Sequence, residues 1–313
     1  MTATQKPLGS LSVSPLCLGG NVFGWTADET ESFAVLDAYV AGGGNFIDTA
    51  DVYSAWVPGN KGGESETVIG NWLTARGNRA DVVIATKAGA HPDHKGLSAA
   101  TIKCAVDASL TRLRTDYIDL YYTHFDDETV EVSEFLTALN DLVQAGKVRE
   151  IAASNISAAR LAESLEFSAR EGQARYVALQ PHYNLVSRDT YEGELADVAA
   201  RNGLAAIPYY ALASGFLTGK YRPGTTVESA RSGKAAEYLA TERGRKVLTA
   251  LDSVAAAHNA ELATVALAWL GAQPTVTAPI ASARTTAQLP ALLAVSDLTL
   301  TGPELTLLNE ASA

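Results

Sequence analysis

The feature that most constrains the fold is a repeated unit: a short apolar, β-rich run, an amphipathic segment with helical periodicity, then a helix-ending glycine. A strand that returns through a helix must run parallel to the strand before it. Helices are predicted at 32–41, 99–113 after the N-cap Ser98, 133–145 and 195–201, with stops at Gly42, Gly146 and Gly203. About eight repeats predict an α/β fold, a (β/α)8 TIM barrel with strands at 16–18, 45–47, 82–86, 118–122, 150–153, 177–179, 205–208 and 276–280.

The chain length is compatible with one large domain. Its 313 residues would suffice for two average domains, but α/β barrels use such a length as one. No linker or low-complexity tract interrupts the strand–helix rhythm. We therefore expect residues 1–313 to form a single domain. Two loops break the rhythm, at 53–64 and 215–234, and loops of that length on a compact scaffold are usually lids or binding loops.

Charge and cysteine usage exclude several classes of protein. A net charge of -11 argues against nucleic-acid binding, which needs a clustered basic face. The first ten residues lack the pattern of a signal peptide, and the apolar run 262–270 is too short to cross a bilayer. Cys17 and Cys104 are expected to be free thiols in a reducing environment. These observations predict a cytoplasmic protein.

Four polar residues occur where predicted strands end: Asp48, Tyr53 five positions later, Lys87 and His124. The carboxyl ends of barrel strands meet around one mouth, so these side chains are expected to converge. An ammonium near a phenol favours the phenolate and lowers its pKa, and a carboxylate keeps the ammonium charged. An imidazole adds a donor for a carbonyl oxygen on which charge develops. The set suits reversible reduction of a C=O group, with Tyr53 as the proton donor.

Each of these residues has a structural alternative. Asp48 before Thr49 suits a helix or loop cap, and Lys87 suits a solvated loop. Tyr53 suits the surface, and His124 suits a hydrogen-bonded core. Metal binding is a weaker alternative because no compact ligand motif is present. Their joint occurrence on successive strand ends favours the catalytic interpretation.

A longer series of motifs resembles the aldo-keto reductase superfamily, whose members are (β/α)8 barrels with an Asp-Tyr-Lys-His tetrad and a nicotinamide cofactor. The resemblance spans nearly the whole chain and includes a Gly-Asn-Phe-Ile-Asp-Thr-Ala signature and a Gln-Pro-His-Tyr-Asn-Leu segment. The matching segments are 44–50, 64–70, 84–87, 119–124, 153–155, 179–185, 207–209 and 216–221.

The resemblance implies roles for further residues. Ser154, Asn155 and Gln180 would hold the nicotinamide carboxamide, and Tyr209 would stack under the nicotinamide ring. Asn155 as a helix cap and Tyr209 as a core aromatic are the structural alternatives. The expected cofactor residues also include Leu212, Gly215, Leu217, Lys220, Ser282, Arg284 and Gln288, with Arg284 on the 2′-phosphate of NADP(H). The C-terminal cofactor segment, 282–292, departs from the family pattern at Leu292, where a polar adenine contact is usual. Separately, the chain has Tyr209-Tyr210-Ala211-Leu212 where many relatives have Tyr-Ser-Pro-Leu.

The expected function is NADP(H)-dependent reduction of a small-molecule aldehyde or ketone, with no metal, no nucleic acid and no membrane partner. Phe23, Trp25 and Trp56 lie near the first strand ends and are expected to wall the substrate pocket, although Phe23 also suits the core. One alternative is a nicotinamide-binding regulatory subunit that resembles potassium-channel β-subunits. Another is an isomerase or aldolase with Lys87 as a Schiff-base amine. The substrate and the oligomeric state stay open.

Overall fold

The fold, described here from a computed structural model for residues 5–225, 227 and 232–313, is built on a curled parallel β-sheet. Its strands are β1 (Lys6–Leu8), β2 (Leu11–Val13), β3 (Cys17–Gly19), β4 (Phe46–Asp48), β5 (Val83–Ala88), β6 (Ala90–His91), β7 (His94–Lys95), β8 (Ile118–Thr123), β9 (Val148–Ser154), β10 (Tyr176–Gln180), β11 (Ala205–Ala206) and β12 (Ile280–Ala281). In these residues the main sheet has eight strands in the order β11-β10-β9-β8-β5-β4-β3-β12, all parallel to their neighbours.

Helices connect the strands of this sheet and follow its last strand. They are α1 (Glu29–Ala41), α2 (Glu64–Arg76), α3 (Ala99–Leu113), α4 (Val132–Gln144), α5 (Ala158–Glu171), α6 (Glu194–Arg201), α7 (Ser232–Ala240), α8 (Glu242–His258), α9 (Leu262–Gly271), α10 (Leu289–Leu293) and α11 (Gly302–Ser312). Ser98 caps α3, as expected, by accepting a hydrogen bond from Thr101 N. Because each crossover passes through a helix, the carboxyl ends of the parallel strands share one edge.

Hydrogen bonds also link the two outer strands of the sheet. Ala206 N donates to Thr275 O at 2.8 Å, and Thr277 N donates to Ala206 O at 2.9 Å. Farther along, Ile280 N donates to Pro208 O at 2.9 Å. A parallel bridge joins Ala206 and Val276. The segment 275–281 therefore bonds to β11 on one side and to β3 on the other.

Two hydrophobic clusters flank the sheet. The outer cluster lies between the sheet and the helices and includes Trp72, Phe135 and Trp269, all fully buried. The inner cluster fills the concave side of the sheet, where Phe46, Leu120 and Ile207 are buried together. The hairpin β1–β2 contributes Leu8, Leu11 and Val13 to this inner cluster, and their exposed fractions are 4% or less. The hairpin therefore closes one end of the concave space.

The predicted elements agree with the observed ones to within a few residues, apart from the last strand. That strand was expected at 276–280, whereas β12 is Ile280–Ala281 and Val276 forms only an isolated bridge. The helix expected at 32–41 begins three residues earlier, because Asp28 and Glu31 form a capping box. The hairpins β1–β2 and β6–β7 were not predicted.

The structure also shows the positions of the two cysteines and of most of the two loops that the sequence singled out. Cys17 is a buried free thiol and Cys104 an exposed one. The loop 53–64 precedes α2, while part of the loop 215–234, residues 226 and 228–231, lies outside the described residues. Among the helices that the structure describes, none is long and apolar enough to cross a membrane.

Candidate active site

The side chains at the strand ends face the concave side of the sheet for a simple geometric reason. Successive residues of a strand point to opposite faces, so a residue two positions after an inner-cluster residue faces inward as well. Asp48, Lys87 and His124 follow inner-cluster residues at this spacing: Phe46, Ala85 and Tyr122. Ser154, Gln180 and Tyr209 repeat the relation after Ala152, Ala178 and Ile207. The sheet therefore directs six polar or aromatic side chains toward one mouth.

The ammonium of Lys87 is the centre of a buried hydrogen-bonded set. Its Nζ donates to Asp48 Oδ2 at 2.7 Å, to Tyr53 Oη at 2.9 Å and to Thr49 O at 2.8 Å. Tyr53 Oη donates to Asp48 Oδ2 at 3.2 Å. The lysine is 0% exposed and the aspartate 1%. The three donor positions of an ammonium are all used, so the Nζ is fixed in place.

Gln180 orients the carboxylate from its other side. Its Nε2 donates to Asp48 Oδ1 at 2.8 Å, while Oδ2 receives Lys87 and Tyr53. A buried charge is tolerated when it is both paired and hydrogen-bonded, and Asp48 meets both conditions. In this arrangement the Gln180 amide nitrogen is a partner of the tetrad.

The phenol of Tyr53 is held in its neutral form. Burial raises the pKa of Tyr53 well above its usual value, and the nearby Asp48 carboxylate raises it further. This differs from the expectation that Lys87 lowers the pKa of the tyrosine. The physical reason is that burial disfavours the phenolate, and that the Asp48 carboxylate, which pairs with the ammonium at 2.7 Å, also lies 3.2 Å from the phenol oxygen and opposes the effect of the ammonium there. Tyr53 is therefore a proton donor at neutral pH.

His124 is a neutral imidazole at the same mouth. Burial lowers the pKa of His124 well below its usual value, and the positive charge of Lys87 lowers it further. Its Nδ1 is buried and has no hydrogen-bond partner among the residues that the structure describes. The ring stacks on Phe125 with centroids 4.7 Å apart, and it meets Tyr53 edge-on at 6.2 Å. A neutral imidazole keeps one N–H available to a carbonyl oxygen.

A cavity of about 750 Å³ opens beside this set. Its volume is in the range of pockets that bury a cofactor or a drug-sized ligand. Asp48, Tyr53 and His124 line it, whereas Lys87 lies behind them. Other expected residues in its wall are Trp56, Ser154, Asn155, Gln180, Tyr209, Leu212, Gly215, Lys220, Ser282, Arg284 and Gln288. Most of the residues that the sequence singled out are thus brought to one cavity.

The side chains expected around a nicotinamide form one network. Asn155 Nδ2 donates to His124 O at 2.8 Å and to Ser154 Oγ at 3.1 Å, and Asn155 itself adopts a left-handed φ of 48°. Tyr209 Oη donates to Asn155 Oδ1 at 2.8 Å. The ring of Tyr209 stacks on His182 with centroids 5.4 Å apart at 21°. These bonds hold an aromatic ring and polar amide groups in fixed positions beside the tetrad.

Another part of the cavity carries the positive charge needed to hold phosphate groups. Arg284 is exposed, and its guanidinium forms no ion pair within the described part of the chain. Gln288 Oε1 accepts from Arg284 N at 2.8 Å and so fixes the turn that presents the arginine. The exposed Lys220 approaches Gly215, whose φ of 90° requires glycine. Donor-only side chains with unused hydrogens fit the phosphates of a nicotinamide dinucleotide.

Three expected contacts are not brought to the cavity wall. Phe23 is 0% exposed in the outer cluster, and its carbonyl accepts from Ser54 Oγ at 2.9 Å, so it anchors a loop in the core. Leu217 is also 0% exposed in that cluster, and its N–H is bonded to Leu212 O. These two side chains therefore pack in the core and do not line the cavity. Trp25 is half-buried behind Trp56, which it meets edge-on at 5.6 Å.

The cavity also contains residues that sequence reasoning missed. Asn21 lines it and accepts from Ser282 Oγ through its Oδ1 at 2.6 Å. It follows the end of β3 by two residues, so the strand-end rule that identified the tetrad could have found it. Glu261 lines the cavity from the residue just before α9. Nothing in the sequence near Glu261 marks it as a cavity residue.

Comparison with known proteins identifies the family of this chain. The sequence model of the Aldo/keto reductase family matches residues 15–313. Norsolorinic acid reductase B of Aspergillus parasiticus is 32% identical, covering 98% of this chain and 82% of its own length. Protein tas of Escherichia coli is 33% identical, covering 90% of this chain and 89% of its own length. The aryl-alcohol dehydrogenase [NADP(+)] of Phanerodontia chrysosporium is 32% identical, covering 96% of this chain and 83% of its own length. The chain therefore belongs to the aldo/keto reductase family.

Proposed function

We propose that this chain is an NADP(H)-dependent oxidoreductase that reversibly reduces an aldehyde or a ketone to an alcohol. The observation that carries the proposal is the bonded set of Lys87, Asp48 and Tyr53 beside the neutral His124. Asp48, Tyr53 and His124 line a cavity of cofactor size, and Lys87 lies behind them. We further propose that residues 1–313 form one closed (β/α)8 barrel, which the bonds between β11 and the segment 275–281 support.

The residues divide the work by their chemistry. When bound, the nicotinamide cofactor supplies the hydride. Tyr53 gives its proton to the oxygen on which negative charge develops, and its neutral state supports that role. Lys87 and Asp48 hold the phenol oxygen in position, since both bond to it. His124 directs an N–H toward the same carbonyl oxygen.

The cofactor is assigned to the rest of the cavity. Ser154, Asn155 and Tyr209 hold the nicotinamide end, for which their fixed hydrogen-bond network is suited. Gln180 contributes through its contact with Asp48. Arg284 and Lys220 hold the phosphates, and the relative named as an NADP(+) enzyme supports NADP over NAD. The donor set that lines the cavity fits such a dinucleotide.

We propose an aryl carbonyl compound as the substrate class. The mouth of the cavity is surrounded by Trp56, Phe125 and Tyr210, which are 48%, 50% and 50% exposed. Exposed aromatic rings beside a reacting centre favour flat aromatic ligands, because stacking requires two π-faces. Two of the relatives are named norsolorinic acid reductase and aryl-alcohol dehydrogenase, which supports the same class.

The two alternatives are tested in different ways. A Schiff-base mechanism requires an accessible neutral amine, but Lys87 Nζ is buried, ion-paired and bonded to three oxygens. A regulatory subunit without turnover would keep the tetrad as well, so turnover of a generic aldehyde, followed by the loss of NADPH absorbance, separates it from an enzyme. Borohydride trapping with carbonyl substrates tests the first alternative, because an adduct at Lys87 would contradict our proposal.

The test of the proposal is Tyr53→Phe, which removes the proton donor and keeps the ring. We expect kcat for an aryl aldehyde to fall about 10²–10⁴-fold, with NADPH affinity close to that of the wild type. Tyr117→Phe is a matched control, since Tyr117 is half-buried under Arg79 and outside the cavity wall. A Tyr53→Phe enzyme with more than half of the wild-type kcat would refute the assignment.

A further inference from the structure

We infer that Glu261 accepts a hydrogen bond from the amino group of an adenine base held in the cavity, and so selects adenine nucleotides. The inference rests on the proposed function, because it assumes that the cavity takes a nicotinamide adenine dinucleotide. It concerns a different residue and a different part of that ligand from those assigned above.

The first step is the position of Glu261. It precedes α9, is exposed, and lines the same cavity as Tyr53 and Arg284. One turn later, Thr264 Oγ1 donates to Ala291 O at 2.6 Å, which joins the start of α9 to α10. This contact places Glu261 on the part of the cavity that α10 and the Arg284 turn build.

The second step is the chemistry of that part of the cavity. Its wall contains the apolar side chains of Ala263, Ala291 and Leu292, which suit the face of a flat ring and offer it no side-chain hydrogen bond. Gln288 also lines it, but its Oε1 is bonded to Arg284 N. Glu261 makes no side-chain cap bond at its helix and no ion pair within the described residues. Its carboxylate is thus an unused acceptor.

The third step is complementarity. An ionised carboxylate accepts hydrogen bonds and donates none, so it repels a phosphate and suits an amino group. In a nicotinamide adenine dinucleotide the base offers an exocyclic amino group as its donor, while the phosphates are acceptors. Arg284 supplies the donors for a phosphate, and Glu261 supplies the acceptor for the amine. Arg284 therefore matches the 2′-phosphate and Glu261 the amino group of the base, at opposite ends of the phosphorylated adenosine.

The experiment compares two reduced cofactors that differ only in the base: NADPH and its hypoxanthine analogue, in which an oxygen replaces the 6-amino group. Binding is followed by quenching of tryptophan fluorescence, with no substrate present. We expect the wild type to bind NADPH roughly tenfold more tightly than the analogue, a ratio within reach of one charge-assisted hydrogen bond. Glu261→Ala should bind the two cofactors within about twofold of each other. Glu261→Gln keeps an acceptor oxygen and should retain part of the preference.

The matched control is Glu131→Ala. Glu131 is also the exposed residue just before a helix, α4, and also makes no side-chain cap bond, but it lies outside the cavity wall. The Glu131→Ala substitution removes the same charge and should leave the ratio of the affinities for NADPH and for its hypoxanthine analogue as in the wild type. Circular dichroism of each variant checks that the fold is intact.

Three results would overturn the inference. An unchanged ratio in Glu261→Ala would show that the carboxylate does not contact the base. Tighter binding of NADPH, but not of NADH, by that variant would indicate that Glu261 faces the 2′-phosphate. A loss confined to NADH would indicate the ribose hydroxyl instead. If the wild type binds neither NADPH nor NADH, the proposed function itself fails, which is distinguishable from all three.

Discussion

Replacing Asp51 with asparagine is expected to stabilise the protein, and more strongly at alkaline pH than at acidic pH. Asp51 is 1% exposed, and neither carboxylate oxygen has a hydrogen bond of normal geometry within the described residues. Burial raises the pKa of Asp51 to about 7, and the nearby Glu66 carboxylate adds to the effect. The Arg112 guanidinium opposes it only in part, because it is bonded to Glu66 at 2.6 Å.

The sign and the size of the pH dependence of stability follow from the difference in proton binding at Asp51 between the folded and the unfolded protein. Between the ordinary value of 3.8 and about 7, the folded protein binds more protons at Asp51 than the unfolded chain does. Stability therefore falls as pH rises through this window and stays lower above it. The full effect is roughly 4 kcal/mol, of which about 2 kcal/mol is expected between pH 5.5 and pH 8.5. Asparagine carries no charge and loses this pH dependence.

The assay is urea unfolding followed by circular dichroism at the two pH values. For an m-value near 3 kcal/mol/M, the advantage of Asp51→Asn in the urea midpoint should grow by about 0.7 M from pH 5.5 to pH 8.5. Asp116→Asn, at an exposed position, is the control and should follow the wild type at both pH values. A constant difference between Asp51→Asn and the wild type would refute the reasoning, because a neutral buried aspartate at both pH values would give that result.

Two further predictions concern activity and cofactor binding. Lys87→Met should lower kcat at neutral pH more than Lys87→Arg, and arginine should still be impaired, because it keeps the charge but not the three bonds made by Nζ. Equal, near-wild-type kcat of both variants from pH 6 to pH 9 would contradict this. Arg284→Ala should weaken NADPH binding by roughly 1.5–3 kcal/mol and leave NADH little changed, as fluorescence titration can measure. Parallel losses for the two cofactors, or a wild-type preference for NADH, would remove Arg284 from the phosphate site.

The convergence of Asp48, Lys87 and His124 could be predicted because side chains alternate strictly along a strand, whereas Tyr53 lies in the loop after β4, which this rule does not cover. Once β4, β5 and β8 are identified, Asp48, Lys87 and His124 must face the same side as the inner-cluster residues two positions earlier. The parallel order then brings their ends to one edge. The same rule reaches Asn21, which follows the end of β3 by two residues and was not among the expected site residues.

Residues outside strands were harder to predict. Phe23 lies in a loop with an isolated bridge to Ala27, and Leu217 lies in the irregular 3-10 helix Ala213–Thr218, where the direction of a side chain depends on individual backbone angles. The left-handed φ values of Ala213 and Ser214, 47° and 58°, help to turn Leu217 into the core, and nothing about these residue types signals such angles. The hairpin β1–β2 had a signal that was not used: Gly9, with a φ of 56°, stands between two short alternating runs.

The electrostatics of the site were the least predictable part. The residue types alone suggest an ammonium that lowers the pKa of a phenol. The result depends on which groups are paired, and here Lys87 is 2.7 Å from Asp48 and 2.9 Å from Tyr53. Distances of this kind between residues 5 to 39 positions apart are set by the packed sheet and are absent from any local pattern.

The β1–β2 hairpin has a consequence for the order in which ligands bind and leave. Leu8, Leu11 and Val13 are buried against the concave side of the sheet and close the end of the cavity next to the hairpin. Ligands therefore enter and leave at the opposite end, where the carboxyl ends of the strands lie. Ser154 and Gln180 are nearly inaccessible, whereas Trp56 and Phe125 at the rim are half exposed. A ligand that reaches the deeper groups must arrive before the one that covers it and depart after it. On the proposed assignment of Ser154 to the nicotinamide end, a cavity closed at one end requires the cofactor to bind before the carbonyl substrate and to leave after the product.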